Sequence, residues 1–283
     1  MRVEILEPKG YCVGVSRAIS VALSAKKEHP ECEVFVLGML VHNDFVIQKL
    51  EEKGIHTAFS LDEIPAGNIV VFTAHGHDER LDDLAIKKGL IIYDAICPIV
   101  KKNISTIKKE LEEQHQIIYI GIPPHPETIA ATSIDDNVLL YPVTGEFGFS
   151  KVKDESPLVV NQTTLNILEL GDIHKNILHH LPKARIADEI CFSTRQRQEN
   201  IKSIDEKDVD MIIVIGDKKS SNSTRLWEVA KISHPNITSI MVSSKDNLDL
   251  SLIRNKKHIV LASGASVADE TIDAIYQTIN SLN

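Results

Sequence analysis

The chain has 283 residues, of which 43% are hydrophobic and 25% charged, and a net charge of −9. This is ordinary globular composition with room for two or three domains. It excludes a membrane helix, because no apolar run approaches the roughly 20 residues one needs, and it disfavours binding to a phosphate backbone, which a strongly acidic chain does not neutralise.

The N-terminal Met1-Arg-Val-Glu-Ile lacks signal or transit anatomy, so a cytosolic protein is expected, without membrane or nucleic-acid partners. Four cysteines in such a chain point to metal or catalysis rather than disulfides.

A strand is predicted at 3–6, followed by Gly10-Tyr-Cys12-Val-Gly14 and a helix over about 15–28. A buried-strand run at 33–38 ends in Val41-His42-Asn43, and a helix over 44–53 follows. A weak strand near Thr57 precedes a strong one at 68–73, which ends at Ala74-His75-Gly76-His77. After a charged helix, a strand at 90–93 leads into Asp94-Ala-Ile-Cys97-Pro98. Short apolar runs alternating with helical segments indicate a parallel α/β arrangement.

The same order recurs twice. A helix over 99–113, with Pro98 suited to its first turn, precedes a strand at 116–121 that ends in Ile122-Pro-Pro-His125-Pro-Glu127. Strands near 138–141 and 157–160 follow, the latter ending in Asn161-Gln162-Thr163-Thr164, and a strand at 184–187 leads to Cys191. In the last third, a strand at 210–216 ends in Asp217-Lys-Lys-Ser220-Ser221-Asn222-Ser223, and strands at 237–242 and 258–262 follow. The latter ends in Ser263-Gly-Ala-Ser266, and a helix closes the chain.

Cys12, Cys97 and Cys191 thus occupy equivalent strand-to-helix turns, 85 and 94 residues apart, with 92 residues after the last. Such a period indicates a repeated small domain. The units are placed at 13–97, 98–191 and 192–283. The third lacks its last strand, and only the N-terminal segment 1–12 matches the missing phase. The chain is therefore expected to close as a ring of three α/β units with small parallel sheets.

Ligands in open parallel sheets gather beyond the carboxyl ends of the strands. The ring then brings the three cysteines to one axis, surrounded by His42, His75, His125, Thr163, Ser220 and Ser266. A free cysteine is most often a small buried hydrophobe, and Cys32, off the repeat, is read that way. Three in register read as ligands instead. Structural zinc takes four closed ligands, whereas an iron–sulfur cluster held by three thiolates keeps one iron open. Each cysteine precedes a helix N-terminus, which favours the thiolate.

Ser220-Ser221-Asn222-Ser223 opens a helix and offers hydroxyls, an amide and free backbone N–H groups, an arrangement suited to a diphosphate. Glu127 is the loop carboxylate expected to face that pocket and the natural proton donor. His29, His56, His115, His174, His179, His180, His234 and His258 carry no site signal and are expected at the surface. Lys101, Lys102, Arg195 and Lys218 read as solvated helix faces. The absence of Walker-type and GxGxxG loops argues against nucleotide binding.

Together these motifs, from Gly10-Tyr-Cys12-Val-Gly14-Val-Ser-Arg17-Ala to Ser220-Ser221-Asn222-Ser223, resemble the 4-hydroxy-3-methylbut-2-enyl diphosphate reductase family across essentially the whole chain. The resemblance implies a trefoil of three α/β units around a [4Fe-4S] cluster held by Cys12, Cys97 and Cys191. It implies that His42, His75, His125, Thr163, Thr164, Ser220, Ser221, Asn222 and Ser266 bind the substrate, with Glu127, Thr163 and His125 in catalysis. It further implies reductive loss of the allylic hydroxyl, giving isopentenyl and dimethylallyl diphosphates, in a monomer served by a ferredoxin or flavodoxin. A non-catalytic iron–sulfur sensor of a phosphorylated ligand and a zinc-dependent hydrolase are the alternative readings.

Overall fold

The computed structural model describes residues 1–41, 44–187 and 189–282, with only the backbone of Asp44 and Phe45 described. The chain opens with β1 (Arg2–Ile5). Next come α1 (Val13–Glu28), β2 (Val34–Leu37), α2 (Asp44–Glu51), β3 (Ile55–Ala58), β4 (Ile69–Phe72), α3 (Arg80–Lys87) and β5 (Ile91–Asp94). A second run comprises α4 (Pro98–Glu112), β6 (Ile117–Gly121), α5 (Pro126–Thr132), β7 (Val138–Pro142), β8 (Leu158–Asn161), α6 (Ile167–His180) and β9 (Arg185–Ile186). The last holds α7 (Phe192–Lys202), β10 (Met211–Ile215), α8 (Ser221–Ser233), β11 (Thr238–Val242), β12 (His258–Ser263) and α9 (Asp269–Asn280).

The strands form three parallel four-stranded sheets, ordered β3-β2-β4-β5, β7-β6-β8-β9 and β1-β12-β10-β11. This is the trefoil of three α/β units. In the third sheet β1 occupies the edge beside β12, with Arg2 opposite His258 and Ile5 opposite Leu261. The central strands are continuous Val/Ile runs such as Met211–Ile215, buried at every position, because helices cover both faces of a parallel sheet. Each sheet accordingly has a hydrophobic core on both sides.

In each sheet the strand order reverses direction between the two central strands: β2 and β4, β6 and β8, β10 and β12. A crevice opens beyond the carboxyl ends at such a switch point. The loops after these six strands carry Gly38 to Val41, Thr73 to His75, His125, Thr163, Ser220 and Ser266, all on one cavity. Close packing serves the third crevice: a Cβ on Gly216 or Gly264 would overlap Ser223 Oγ. Two glycines therefore let the first turn of α8 seat between β10 and β12. Among the described residues no helix is long and apolar enough to cross a membrane.

Candidate active site

Cys12, Cys97 and Cys191 each sit in extended backbone immediately before α1, α4 and α7. Three equivalent hydrogen bonds place them. The N–H of Cys97 donates to the Ala74 carbonyl at 3.0 Å, that of Cys191 to Thr163 at 3.1 Å, and that of Cys12 to Ala265 at 2.9 Å. Each acceptor lies on the loop after a central strand, so the sheets themselves carry the cysteines inward. All three line one cavity of about 560 Å³. Gly14 makes the approach possible: a Cβ there would stand 2.9 Å from Cys97 Sγ, tighter than van der Waals contact allows.

The sulfurs have built-in donors. Val15 N–H reaches Cys12 Sγ at 3.4 Å, and the Thr194 hydroxyl reaches Cys191 Sγ at 3.6 Å. At Cys97 the helix N-terminus favours the thiolate as expected, but burial opposes it. Burial pushes the thiol up, and Cys12 and Cys191 add to this. The N–H groups of Ile99 and Val100 pull the other way without prevailing. Desolvation of the charged form outweighs two backbone dipoles here.

Glu127 is the one carboxylate on the cavity among the described residues, and it is 3% exposed. It lies in the first turn of α5, which Pro126 opens and His125 caps. His125 Nδ1 accepts the Glu127 N–H at 3.2 Å, which leaves the imidazole proton on Nε2. Thr163 grips the carboxylate twice, its N–H donating to Oε1 at 2.8 Å and its hydroxyl to Oε2 at 3.0 Å. Burial pushes the Glu127 carboxyl up to about 7; the Thr163 N–H, the Thr163 hydroxyl and Tyr119 hold it lower than burial alone would. Burial, and after it the Glu127 charge, keeps the Tyr119 phenol well above its ordinary range. That phenol donates to the Glu127 main-chain carbonyl at 3.5 Å.

Across the cavity Ser220 caps α8 by accepting the Ser223 N–H, and its hydroxyl lies 3.4 Å from that of Ser266. Asn222 donates to Thr194 Oγ1 at 3.0 Å and accepts the Ala265 N–H at 2.9 Å, joining α7, α8 and the β12 loop. The hydroxyls of Thr164 and Ser221 are 3.1 Å apart. His75 and His125 meet edge to face with ring centroids 5.3 Å apart. The predicted Cys12, His75, Cys97, His125, Glu127, Thr163, Thr164, Cys191, Ser220, Ser221, Asn222 and Ser266 therefore line a single cavity. His42 lies outside the described residues.

Several residues were not legible beforehand. Gln162 accepts the Ile122 N–H and the Thr128 hydroxyl, and donates to Thr164 and Ser221. Thr194, Arg197 and Gln198, with Ile201, form the buried face of α7. Their signal was a helix behind Cys191 with no apolar stripe, although one face must pack. Lys218 is solvent-exposed as expected, but on the turn before α8 rather than a helix face, and with Lys219 it lines the cavity. Two expected surface histidines are buried. His234, 3% exposed, bonds Glu206 at 3.1 Å and the Ile201 carbonyl at 2.7 Å. His258, on β12, bonds the Asp208 carbonyl at 3.0 Å. Both rings have a protein partner that replaces water. Cys32 packs at the margin of the first core and does not line the cavity.

The family described as LytB protein matches residues 3–280. The chain is 33% identical to the 4-hydroxy-3-methylbut-2-enyl diphosphate reductase of Malacoplasma penetrans, over 94% of this chain and 93% of that protein. It is 33% identical to the same-named reductase of Geobacillus thermodenitrificans over 98% and 90%. Among solved structures it is similar to the E-1-hydroxy-2-methyl-but-2-enyl-4-diphosphate reductase of Plasmodium falciparum, with a TM-score of 0.87 and 28% identity, covering 98% of this chain and 87% of that one. A second solved structure, an (E)-4-hydroxy-3-methyl-but-2-enyl diphosphate reductase described as the terminal enzyme of the non-mevalonate pathway, gives 0.70 and 27% over 99% and 100%.

Proposed function

The chain belongs to the LytB protein family, and from that premise we propose that it reductively removes the allylic hydroxyl of 4-hydroxy-3-methylbut-2-enyl diphosphate. The products are isopentenyl and dimethylallyl diphosphates and water, formed with two electrons and two protons. The electrons come singly from an external carrier such as a ferredoxin or flavodoxin.

The donor set suits an iron–sulfur cluster. All three cysteines line one cavity, and Cys12 and Cys191 are near enough to act electrostatically on Cys97. The first turns of α1, α4 and α7 contain no acidic residue, as helix N-termini facing an anion should. Cys12, Cys97 and Cys191 would hold the cluster, which when bound supplies one-electron transfer and an open iron as Lewis acid for the hydroxyl.

The protein's own residues do the rest. The N-terminus of α8, with Ser220, Ser221 and Asn222, and Ser266, His75 and His125 around it, binds the diphosphate by charge-assisted hydrogen bonds. This fixes the alcohol end of the substrate toward the cysteines. Thr163, bonded to Glu127, orients the substrate hydroxyl. Glu127, with its carboxyl pushed up to about 7, holds a proton near neutral pH and gives it up where charge develops, as a general acid requires. The observation that carries this reading is that single buried carboxyl, gripped by Thr163, on the same cavity as three cysteines and a hydroxyl-lined helix N-terminus.

The test is anaerobic purification, iron and sulfide analysis with a visible absorption spectrum, and then turnover with a reduced one-electron donor. A brown iron–sulfur chromophore with substrate-dependent donor oxidation is expected. A chromophore without turnover would indicate the sensor instead, and zinc in place of iron and sulfide would refute the cluster.

A further inference from the structure

In cyclic order, each cysteine-capped helix reaches back to the loop before another cysteine with a basic side chain. Arg17 of α1 donates to the Ile96 carbonyl at 3.0 Å, one residue before Cys97. Lys102 of α4 pairs with Glu189 at 3.5 Å, two residues before Cys191. Arg197 of α7 donates to the Gly10 carbonyl at 2.8 Å, two residues before Cys12. The third tie differs from the others. Lys102 is a surface side chain, 69% exposed, whereas Arg197 is 4% exposed. It is also the tie that joins the last unit to the N-terminal segment and so closes the ring.

Every nitrogen of the Arg197 guanidinium is engaged. Nη1 donates to the Ser263 carbonyl at 2.7 Å and to its hydroxyl at 3.0 Å, and Nε donates to Ser193 Oγ at 3.4 Å. The Ser263 hydroxyl also accepts the Gly10 N–H at 3.2 Å. One guanidinium thus fastens α7, the loop before Cys12 and the end of β12. All its hydrogen bonds go to carbonyls and hydroxyls. Among the described residues no carboxylate lies within ion-pair distance of it. A buried charge without a counter-ion is costly. The negative groups acting on it are the sulfurs of Cys12 and Cys191, and then Glu7 and Asp269.

We propose that Arg197 is a positioning residue that both holds Cys12 and Cys191 in one ring and places a fixed positive charge behind the anionic group the three sulfurs share. The second role rests on the cluster assignment above; the first does not. A cation near an iron–sulfur centre favours its reduced, more negative form and raises its potential. Arginine suits the position because its planar fork binds several acceptors at once while keeping its charge, which lysine's point charge cannot match in geometry.

Two variants separate the roles. Arg197→Met removes charge and fork; Arg197→Lys keeps the charge and loses the fork. In Arg197→Met the cluster's reduction equilibrium should shift at least tenfold toward the oxidised form, about 59 mV for one electron. Amide exchange over residues 2–6 of the cluster-free chain should quicken at least tenfold. In Arg197→Lys the exchange should quicken while the potential stays within threefold of the unaltered protein in equilibrium terms. An unshifted potential in Arg197→Met overturns the charge role, and unaltered exchange in both variants overturns the tie. If Arg197→Met fails to fold, Arg197→Lys decides: quickened exchange with a retained potential supports the proposal, and a potential lost with the fork overturns the charge role. A parent chain that takes up no iron and sulfide overturns the cluster assignment itself, and the exchange measurement on that cluster-free chain still decides the tie.

Discussion

Glu127 and Arg197 are buried to nearly the same degree, 3% and 4% exposed, and burial disfavours the charged form of both. The outcomes are opposite. The carboxyl starts at 4.5 and is pushed up to about 7, so it gains and loses a proton within the physiological range. The guanidinium is lowered by burial, yet its ordinary value is so high that it stays charged. One desolvation penalty thus makes one group a proton store and leaves the other a permanent cation. Their partners follow suit. Glu127 meets a hydroxyl that can adjust to either protonation state, and Arg197 meets carbonyls that suit only a donor.

The largest test of this contrast is Glu127→Gln. It keeps shape and hydrogen bonding but removes the transferable proton, so turnover should fall about 10²–10⁴-fold, the usual range for a general acid. Iron and sulfide content and the potential should not change, whereas Arg197→Met is expected to shift the potential. Near-normal turnover in Glu127→Gln would remove Glu127 from the chemistry.

Stability against pH gives the next largest effect. With its folded value raised above the unfolded one, Glu127 binds more protons folded than unfolded between about 4.5 and about 7. Its contribution is therefore fully present below about 4.5 and lost as pH rises through about 7, an amount on the order of 3 kcal/mol. Denaturant titrations of the cluster-free protein should show that slope, and Glu127→Gln should lack it. An identical slope in the variant would place the titration elsewhere. Arg197 contributes no such slope, since it remains charged throughout.

Thr163→Val sharpens the acid side, read from the pH dependence rather than from the rate, since Thr163 also orients the substrate hydroxyl. It deletes the hydroxyl that stabilises ionised Glu127 while retaining the backbone N–H. A lost hydrogen bond of about 1 kcal/mol should move the Glu127 limb of the pH–rate profile upward by somewhat less than one unit. A downward movement would contradict the assigned donor direction. The smallest effect is expected for Ser220→Ala, which touches neither buried charge. Loss of the α8 cap should cost about 1 kcal/mol in thermal or denaturant unfolding. It should raise KM for the diphosphate several-fold with kcat nearly unchanged.

Much of the architecture was readable from local pattern. Runs such as Ile69–Phe72 and Met211–Ile215 announce buried parallel strands, and the missing phase in the last third pointed to the segment that became β1 beside β12. Cys12, Cys97, His125 and Ser220 were legible because a cap is a local event: the residue before a helix is set by its own neighbours. The error over His234 arose because burial of an isolated histidine depends on a carbonyl 33 positions away. At Cys97 the stabilising helix N–H groups were legible locally, and the opposing burial was not.

The order of short strands, the turns that carry the cysteines and the hydroxyl-rich opening of α8 follow from the sequence by itself, since each depends on spacing along a few residues. The tertiary structure alone decided that burial would push the Glu127 carboxyl up to about 7 and that Arg197 would lie buried, bonded two residues from each of two cysteines. Both outcomes depend on how much water is excluded and which distant backbone groups replace it, and those quantities exist only once the three sheets have closed around their axis.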